Sequence, residues 1–212
     1  MVSYQSIKEI KIKRTMSAAS EQTNQNQENN NTDIRPCPLM RSNAYRQEPP
    51  TDVEFVLPTG QVKMGQMTHG LIYWNGECIY ADGSVYYGQW LNGQRSGRGT
   101  MTEVNGQVYD GDWQNDQKYG TGQMNYVDGS IYNGFWADDC RDGVGQMIYA
   151  NGQVYYGEWE NGVKHGRGEM KYGTGSVYQG RWENDKKHGK GKVTEANGVS
   201  YDGEWTEDLI QY

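Results

Sequence analysis

The sequence predicts an all-β protein: one elongated, single antiparallel sheet of tandem 23-residue β-hairpins, preceded by a low-complexity tail. Three observations carry this reading. Glycines stand at 60, 83, 106, 129, 152, 175 and 198, tyrosines at 86, 109, 132, 155, 178 and 201, and tryptophans at 90, 113, 136, 159, 182 and 205, every column advancing by 23. A strict period of about 20–50 residues is the mark of a repeat architecture. Within each period the pattern is that of two strands separated by Asn-Gly or Asp-Gly pairs such as Asn105-Gly106, Asp128-Gly129 and Asn161-Gly162; such pairs favour tight hairpin turns because they tolerate positive φ. Finally, 29 glycines, 17 tyrosines and 7 tryptophans stand against 2 phenylalanines in 212 residues, so any core is built of aromatic rings packed on bare backbone.

Taken in chain order, residues 1–52 form the tail. All five prolines lie at or before Pro58, and Ser20 to Asp33 reads SEQTNQNQENNNTD, with too few apolar groups to offset its ordering entropy. The segment is expected to be disordered alone or ordered by a partner. Its opening IKEIKIKR, Ile7 to Arg14, reads as a basic, solvated, partner-binding tail, with a targeting peptide or a membrane-surface helix as the alternative. The repeat domain is expected over 53–212, with a degenerate N-terminal cap at 53–82, clear repeats at about 83–205 and a C-terminal edge at 206–212. In the cap, Phe55 and Leu57 fall on the columns of Met and Tyr, and Trp74 stands where a glycine belongs. Terminal repeats are commonly atypical for this reason.

One clear unit shows how the others are built. Val154-Tyr155-Tyr156-Gly157-Glu158-Trp159 is a strand with Tyr155, Gly157 and Trp159 on one face, because side chains alternate. A polar turn follows, then a second strand carrying Gly166, Gly168, Met170 and Tyr172. The large rings need side-chain-free backbone beside them. The pairs Gly97/Gly99, Gly120/Gly122, Gly143/Gly145, Gly166/Gly168 and Gly189/Gly191 are expected to supply it, while Met101, Met124, Met147 and Met170 fill the gaps between rings. The expected repeat core is therefore Tyr86, Trp90, Tyr109, Trp113, Tyr132, Trp136, Tyr155, Trp159, Tyr178, Trp182, Tyr201 and Trp205. With strands about 4.8 Å apart, each unit advances roughly 10 Å, and six units span about 60 Å. The strand at Tyr201–Trp205 leaves an edge that the segment Asp208–Tyr212 or a second protein is expected to cover.

The glycines invite a phosphate-loop reading, which the spacing rejects: the repeats contain neither GxGxxG nor Gly-x4-Gly-Lys-Ser/Thr, and no helix start is expected. No metal site is expected. His165 and His188 are one unit apart, about 10 Å, and no CxxC occurs. The histidine column holds Ser96, Tyr119 and Asp142 in the other units, so it serves no chemistry common to all. Catalytic residues and cofactors are accordingly not expected, and the protein is read as a non-enzyme. Cys37, Cys78 and Cys140 are odd in number and far apart, which fits reduced thiols in a cytoplasmic setting. Residues 1–50 carry 7 Lys+Arg against 5 Asp+Glu, leaving 13 against 22 in 51–212. An acidic folded part argues against a nucleic-acid partner.

One row of charge survives the comparison of units. Just before the histidine column stand Arg95, Lys118, Arg141, Lys164 and Lys187, basic every time. They are expected along one rim of the sheet, as a solvated row or as a site for an anionic partner, either an acidic protein surface or an inositol-phospholipid headgroup. From Lys164 to Lys192, eight Lys+Arg accompany three Asp+Glu, so that end is locally basic. The ring face is expected to pack mainly on itself, with a groove that accepts an extended or helical segment of a partner.

Gly60 to Trp205 resembles a run of MORN (membrane occupation and recognition nexus) repeats: Tyr-x-Gly-x-Trp at 155–159 and His-Gly-x-Gly at 165–168 fit the pattern, with 178–191 close behind. The resemblance implies hairpins in one twisted sheet and a non-enzymatic scaffold or spacer that mediates protein–protein interactions. It further implies, by analogy with proteins made of MORN repeats alone, a cytoskeletal place such as the radial-spoke head of a ciliary axoneme. A peripheral membrane protein that binds phosphoinositides through the basic row is the alternative. Partners are expected to be other proteins of a large assembly, among them another MORN protein at the sheet edge, with anionic lipid as the other candidate.

Overall fold

In a computed structural model, the residues described are 50–57 and 59–211 together with the pair Lys13–Arg14. They form one antiparallel sheet in which each strand is bonded to its neighbours in sequence. β1 (Lys13–Arg14) pairs with β2 (Thr51–Val56), and β3 (Val62–Thr68) and β4 (Leu71–Ile79) follow. The clear repeats are the hairpins β5/β6 (Val85–Leu91, Gln94–Thr102), β7/β8 (Val108–Gln114, Gln117–Asn125), β9/β10 (Ile131–Ala137, Cys140–Ile148), β11/β12 (Val154–Glu160, Val163–Lys171) and β13/β14 (Val177–Glu183, Lys186–Thr194). β15 (Ser200–Thr206) and β16 (Leu209–Gln211) close the series. No helix occurs among the described residues, and the fold class is the one predicted. The expectations for residues 1–52 fall almost wholly outside the described residues.

Two kinds of turn alternate. The short turn inside each hairpin is two residues in the left-handed region, for example Asn115 (φ 49°) and Asp116 (φ 68°), or Asn161 (48°) and Gly162 (86°). This is the primed geometry whose twist matches the flanking strands. Asn and Asp tolerate it better than other side chains. The longer turn between hairpins is closed by bonds such as Gly106 N–H to the Glu103 carbonyl and Glu103 N–H to the Gln107 carbonyl. The Asn105 side chain also accepts from Gln107 N–H at 2.8 Å.

The glycine pairs divide their work differently from the expectation. The first of each pair (97, 120, 143, 166, 189) has positive φ and accompanies a bulge in the second strand, where the register to the first strand shifts. It seats no ring. The seat is instead the second glycine together with its cross-strand partner in the Tyr-x-Gly-x-Trp segment: Gly88↔Gly99, Gly111↔Gly122, Gly134↔Gly145, Gly157↔Gly168 and Gly180↔Gly191. A methyl group on either member would fall inside the phenol of Tyr86, Tyr109, Tyr132, Tyr155 or Tyr178 respectively. Each nine-residue second strand thus holds two residues more than its seven-residue partner, and the pairing shifts by two across the bulge, as from Gly88↔Gly99 to Trp90↔Arg95.

These tyrosines lie flat on their glycine pairs and are buried, as are the tryptophans from Trp90 to Trp205. Each phenol donates to the carbonyl three residues on, from Tyr86 to Gln89 (3.0 Å) through Tyr178 to Arg181 (2.9 Å). Each indole N–H donates to the seat glycine of the preceding unit, Trp113 to Gly99 at 2.9 Å and Trp136 to Gly122 at 3.1 Å. Edge-to-face contacts at 4.9–5.4 Å then run unbroken: Tyr86 meets Trp90 and Trp113, Tyr109 meets Trp113 and Trp136, and so on to Trp205. That geometry suits the ring quadrupoles. Every tryptophan therefore bridges two units, which ties neighbouring hairpins through the core as well as the backbone.

The ends show how the series is finished. Phe55 and Leu57 are buried, and Trp74 folds over Gly76 on its own strand because no tyrosine precedes it to occupy that seat. Trp74 stacks face to face on Trp90 (5.0 Å, 13°). Its Nε1 has no preceding seat carbonyl to bond and is the one buried side-chain polar atom without a partner among the described residues. At the far end, β16 pairs with Glu204–Thr206, and Ile210 covers Gly203. The 209–211 segment thus covers half of the last edge.

Candidate functional site

The basic row lies over the rings. Arg95 sits 4.2 Å from the centroid of the Trp113 ring, Lys118 5.1 Å from Trp136, Arg141 4.3 Å from Trp159, Lys164 4.5 Å from Trp182 and Lys187 4.5 Å from Trp205. Each cation thus covers the tryptophan of the next unit, an attraction worth more as water is excluded. Burial among the rings holds the Lys164 ammonium below its ordinary pKa, and Asp185 opposes that effect.

The second residue of each short turn completes this clamp. The Asp116 carboxylate accepts from the Arg95 backbone N–H (2.9 Å) and pairs with its guanidinium (3.3 Å), while Asp116 N–H donates back to the Arg95 carbonyl. Asp139 does the same to Lys118 and Asp185 to Lys164, with ion pairs of 4.0 and 3.9 Å. Asp208 accepts from the Lys187 backbone N–H. Where the turn holds Gly162, the Arg141 guanidinium donates to the Gly162 carbonyl instead. These aspartates were missed in the sequence, although they too recur every 23 residues at 116, 139, 185 and 208.

The ring face offers less than the expected groove. Its tyrosines and tryptophans pack wholly on one another, on glycine backbone and under the cations, and are closed to solvent over the clear repeats. Tyr201 departs from the set: it is 53% exposed, because no following strand brings a second glycine to complete its seat. His165 and His188 lie across the hairpin from Glu160 (3.5 Å) and Glu183 (3.2 Å), half-buried and without a ring contact to the stack. Among the described residues no three His, Cys, Asp or Glu side chains are grouped closely enough to hold a metal. No helix among them is long and apolar enough to cross a membrane.

Exposed apolar groups gather instead on the opposite face. Phe135, Val144 and Tyr156 on β9, β10 and β11 are 51%, 41% and 56% exposed. A shallow trough continues from Val144 and Tyr156 past Arg167 to Arg181 and Lys190. These positions vary between units, so no column in the sequence marked them.

A hairpin repeat of 23 residues with Tyr-x-Gly-x-Trp over glycine seats defines a class of repeat protein. The MORN repeat profile matches residues 86–108, 109–131, 132–154, 155–177 and 178–200 in tandem, and the chain belongs to the MORN-repeat family. No curated protein matches the chain. Among solved structures it is similar to the TCP domain of Drosophila melanogaster SAS-4 (dCPAP), solved in complex with a proline-rich motif of Ana2 (dSTIL), at 11% identity. That match covers 82% of this chain and 98% of the other, with a TM-score of 0.42. The wild-type TCP10 domain of Danio rerio CPAP follows at 13% identity, 76% and 82% coverage and a TM-score of 0.39.

Proposed function

We propose that this protein is a non-enzymatic spacer that holds other proteins at fixed separations in a cytoskeletal assembly, with the radial-spoke head of a ciliary axoneme as its place. The observation that carries the reading is the unit-to-unit junction. Each hairpin is fixed to the next by backbone bonds, a tryptophan bonded to the preceding seat glycine, and a cation clamped over that tryptophan. Repeat stacks held by such nearest-neighbour contacts are extended and present long surfaces to partners. The open sheet leaves its outer face uncovered, a surface suited to docking. Mediating protein–protein contact is the activity that fits a ladder of this kind.

The test is fractionation of cells that make the protein. Recovery with detergent-insoluble cytoskeleton, and with axonemes in ciliated cells, is the expected result. Recovery with membranes, lost on salt extraction, would overturn the reading in favour of the phosphoinositide alternative. That alternative draws on Arg95, Lys118, Arg141, Lys164 and Lys187, whose headgroup contacts would compete with the turn aspartates and the rings. Flotation with phosphoinositide vesicles, comparing the chain with its five cations reversed to Glu, measures their contribution directly.

A further inference from the structure

On the outer face, two positions abandon a structural duty that their equivalents perform. The residue before the repeat tryptophan folds back over the bulge glycine of the next strand. Gln89 accepts from Arg98 N–H (2.8 Å), Asp112 accepts from Thr121 N–H (2.8 Å), and Glu158 lies over Gly166. In the third and fifth clear units the same position is Phe135 and Arg181, neither of which can accept a hydrogen bond. The bonds made at this position are exposed, so their loss forgoes only a modest net contribution, and nothing in the bulge itself calls for Phe135 or Arg181.

What they create is a continuous surface of two chemistries. Phe135, Val144 and Tyr156 make an apolar shelf, and Arg167, Arg181 and Lys190 make a basic continuation of the same trough. Arg167 stands directly opposite Arg181 in the β12–β13 register. Like charges so placed repel, and among the described residues none of the three cations has an ion-pair partner. The carboxylates along the trough are engaged elsewhere: Glu158 is folded over Gly166, and Glu169 is held by Gln179 (2.6 Å) and Lys171 (3.2 Å).

We infer that this trough is a docking site for an extended acidic segment of another protein, bearing an aromatic or aliphatic side chain next to a run of carboxylates. Charge complementarity chooses the occupant. Three unpaired cations beside a shelf of rings fit carboxylates that follow an apolar anchor. From β10 to β14 the trough crosses four strand spacings, about 19 Å, which an extended chain of roughly six residues spans. The inference deepens the scaffold reading and rests on it, naming the chemistry of one partner.

The test uses the full chain and a fluorescein-labelled peptide, Gly-Leu-Phe-Gly-Glu-Asp-Glu-Glu, with a control in which Gln and Asn replace the acids. Saturable binding of the acidic peptide alone is expected. Arg181→Glu is expected to weaken it by about tenfold or more, from loss of a charge-assisted contact and gain of repulsion. The same substitution restores an acceptor at the bulge and a partner for Arg167, so the thermal midpoint is expected to hold or rise. Phe135→Asp is expected to behave alike, whereas Arg98→Glu, on β6 and three strand spacings or more from the shelf, leaves binding unchanged. Equal binding of the neutral peptide, or wild-type affinity in Arg181→Glu, would overturn the proposal. So would a dimer that both trough variants dissociate, since a second copy would then occupy the face, or binding to phosphoinositide vesicles that both variants abolish. If the trough fails while Arg181→Glu still fractionates with the cytoskeleton, the scaffold reading stands without it.

Discussion

At the scale of single residues, the governing contact is a phenol lying on two glycines. Tyr109 covers Gly111 and Gly122, is closed to solvent, and donates to the Asp112 carbonyl at 3.0 Å. The seat tolerates no side chain, whereas the hydroxyl adds a single bond. Gly122→Ala is therefore expected to destabilise by about 1–3 kcal/mol through forced displacement of the ring. Tyr109→Phe, which keeps the ring and loses one hydrogen bond, is expected to cost only about 0.5–1.5 kcal/mol. Urea unfolding of the two variants measures the difference. A Gly122→Ala protein as stable as the parent would show that the ring is not seated there.

The hairpin is the scale at which the sequence was most legible. Period, strand pairs, ring columns and the atypical ends were all visible, because each recurs every 23 residues or breaks a recurrence. The division of labour among glycines was not visible: the bulge shifts register by two residues and leaves no mark in composition, so Gly97 and Gly99 look alike until their φ values are known. The basic row was found, but not its place over the rings, although alternation from Met101 and Gly99 puts Arg95 on the ring face and the two-residue shift of the bulge preserves that side. The outer trough was illegible for the opposite reason: Phe135 and Arg181 matter because they differ from their equivalents. The turn clamp makes an expectation of its own. Gly162 interrupts a column that is otherwise Asp116, Asp139, Asp185 and Asp208, each at φ 67–68°. Gly162→Asp would set a carboxylate beside Arg141, already bonded to that turn. The left-handed strain is of the size that the other units bear, and the gain is about 0.5–1 kcal/mol for a partly exposed pair. The thermal midpoint is expected to stay level or rise, although substitution at a left-handed glycine ordinarily lowers it. A clear fall would mean that the aspartates do not act as clamps.

Across the whole molecule the ladder behaves as one titrating body. Burial raises the phenol pKa values of Tyr86, Tyr109, Tyr132 and Tyr155 well above the ordinary value and pushes Tyr178 up to about 12. An unfolded phenol ionises near pH 10. Because folding raises these values, their contribution to stability is complete below about pH 10 and is lost as pH climbs toward the folded values. Ionising one phenol is not a local event: Tyr132 touches both Trp136 and Trp159, so an anion there disturbs its own unit and the next. Each tryptophan is likewise shared, and a unit released from its neighbour loses half of its ring contacts. Coupling of this kind converts five separate titrations into a single unfolding step. Exposed phenols such as Tyr156 and Tyr201 contribute to the early part of the phenolate absorbance band. Its late phase, from the stacked rings, is expected to coincide with the change in tryptophan fluorescence as pH is raised from about 9 to 13. A late phenolate phase that runs to completion while the indole emission stays native would mean that the stacked rings are individually accessible, and the sheet would then be five loosely joined hairpins rather than one spacer.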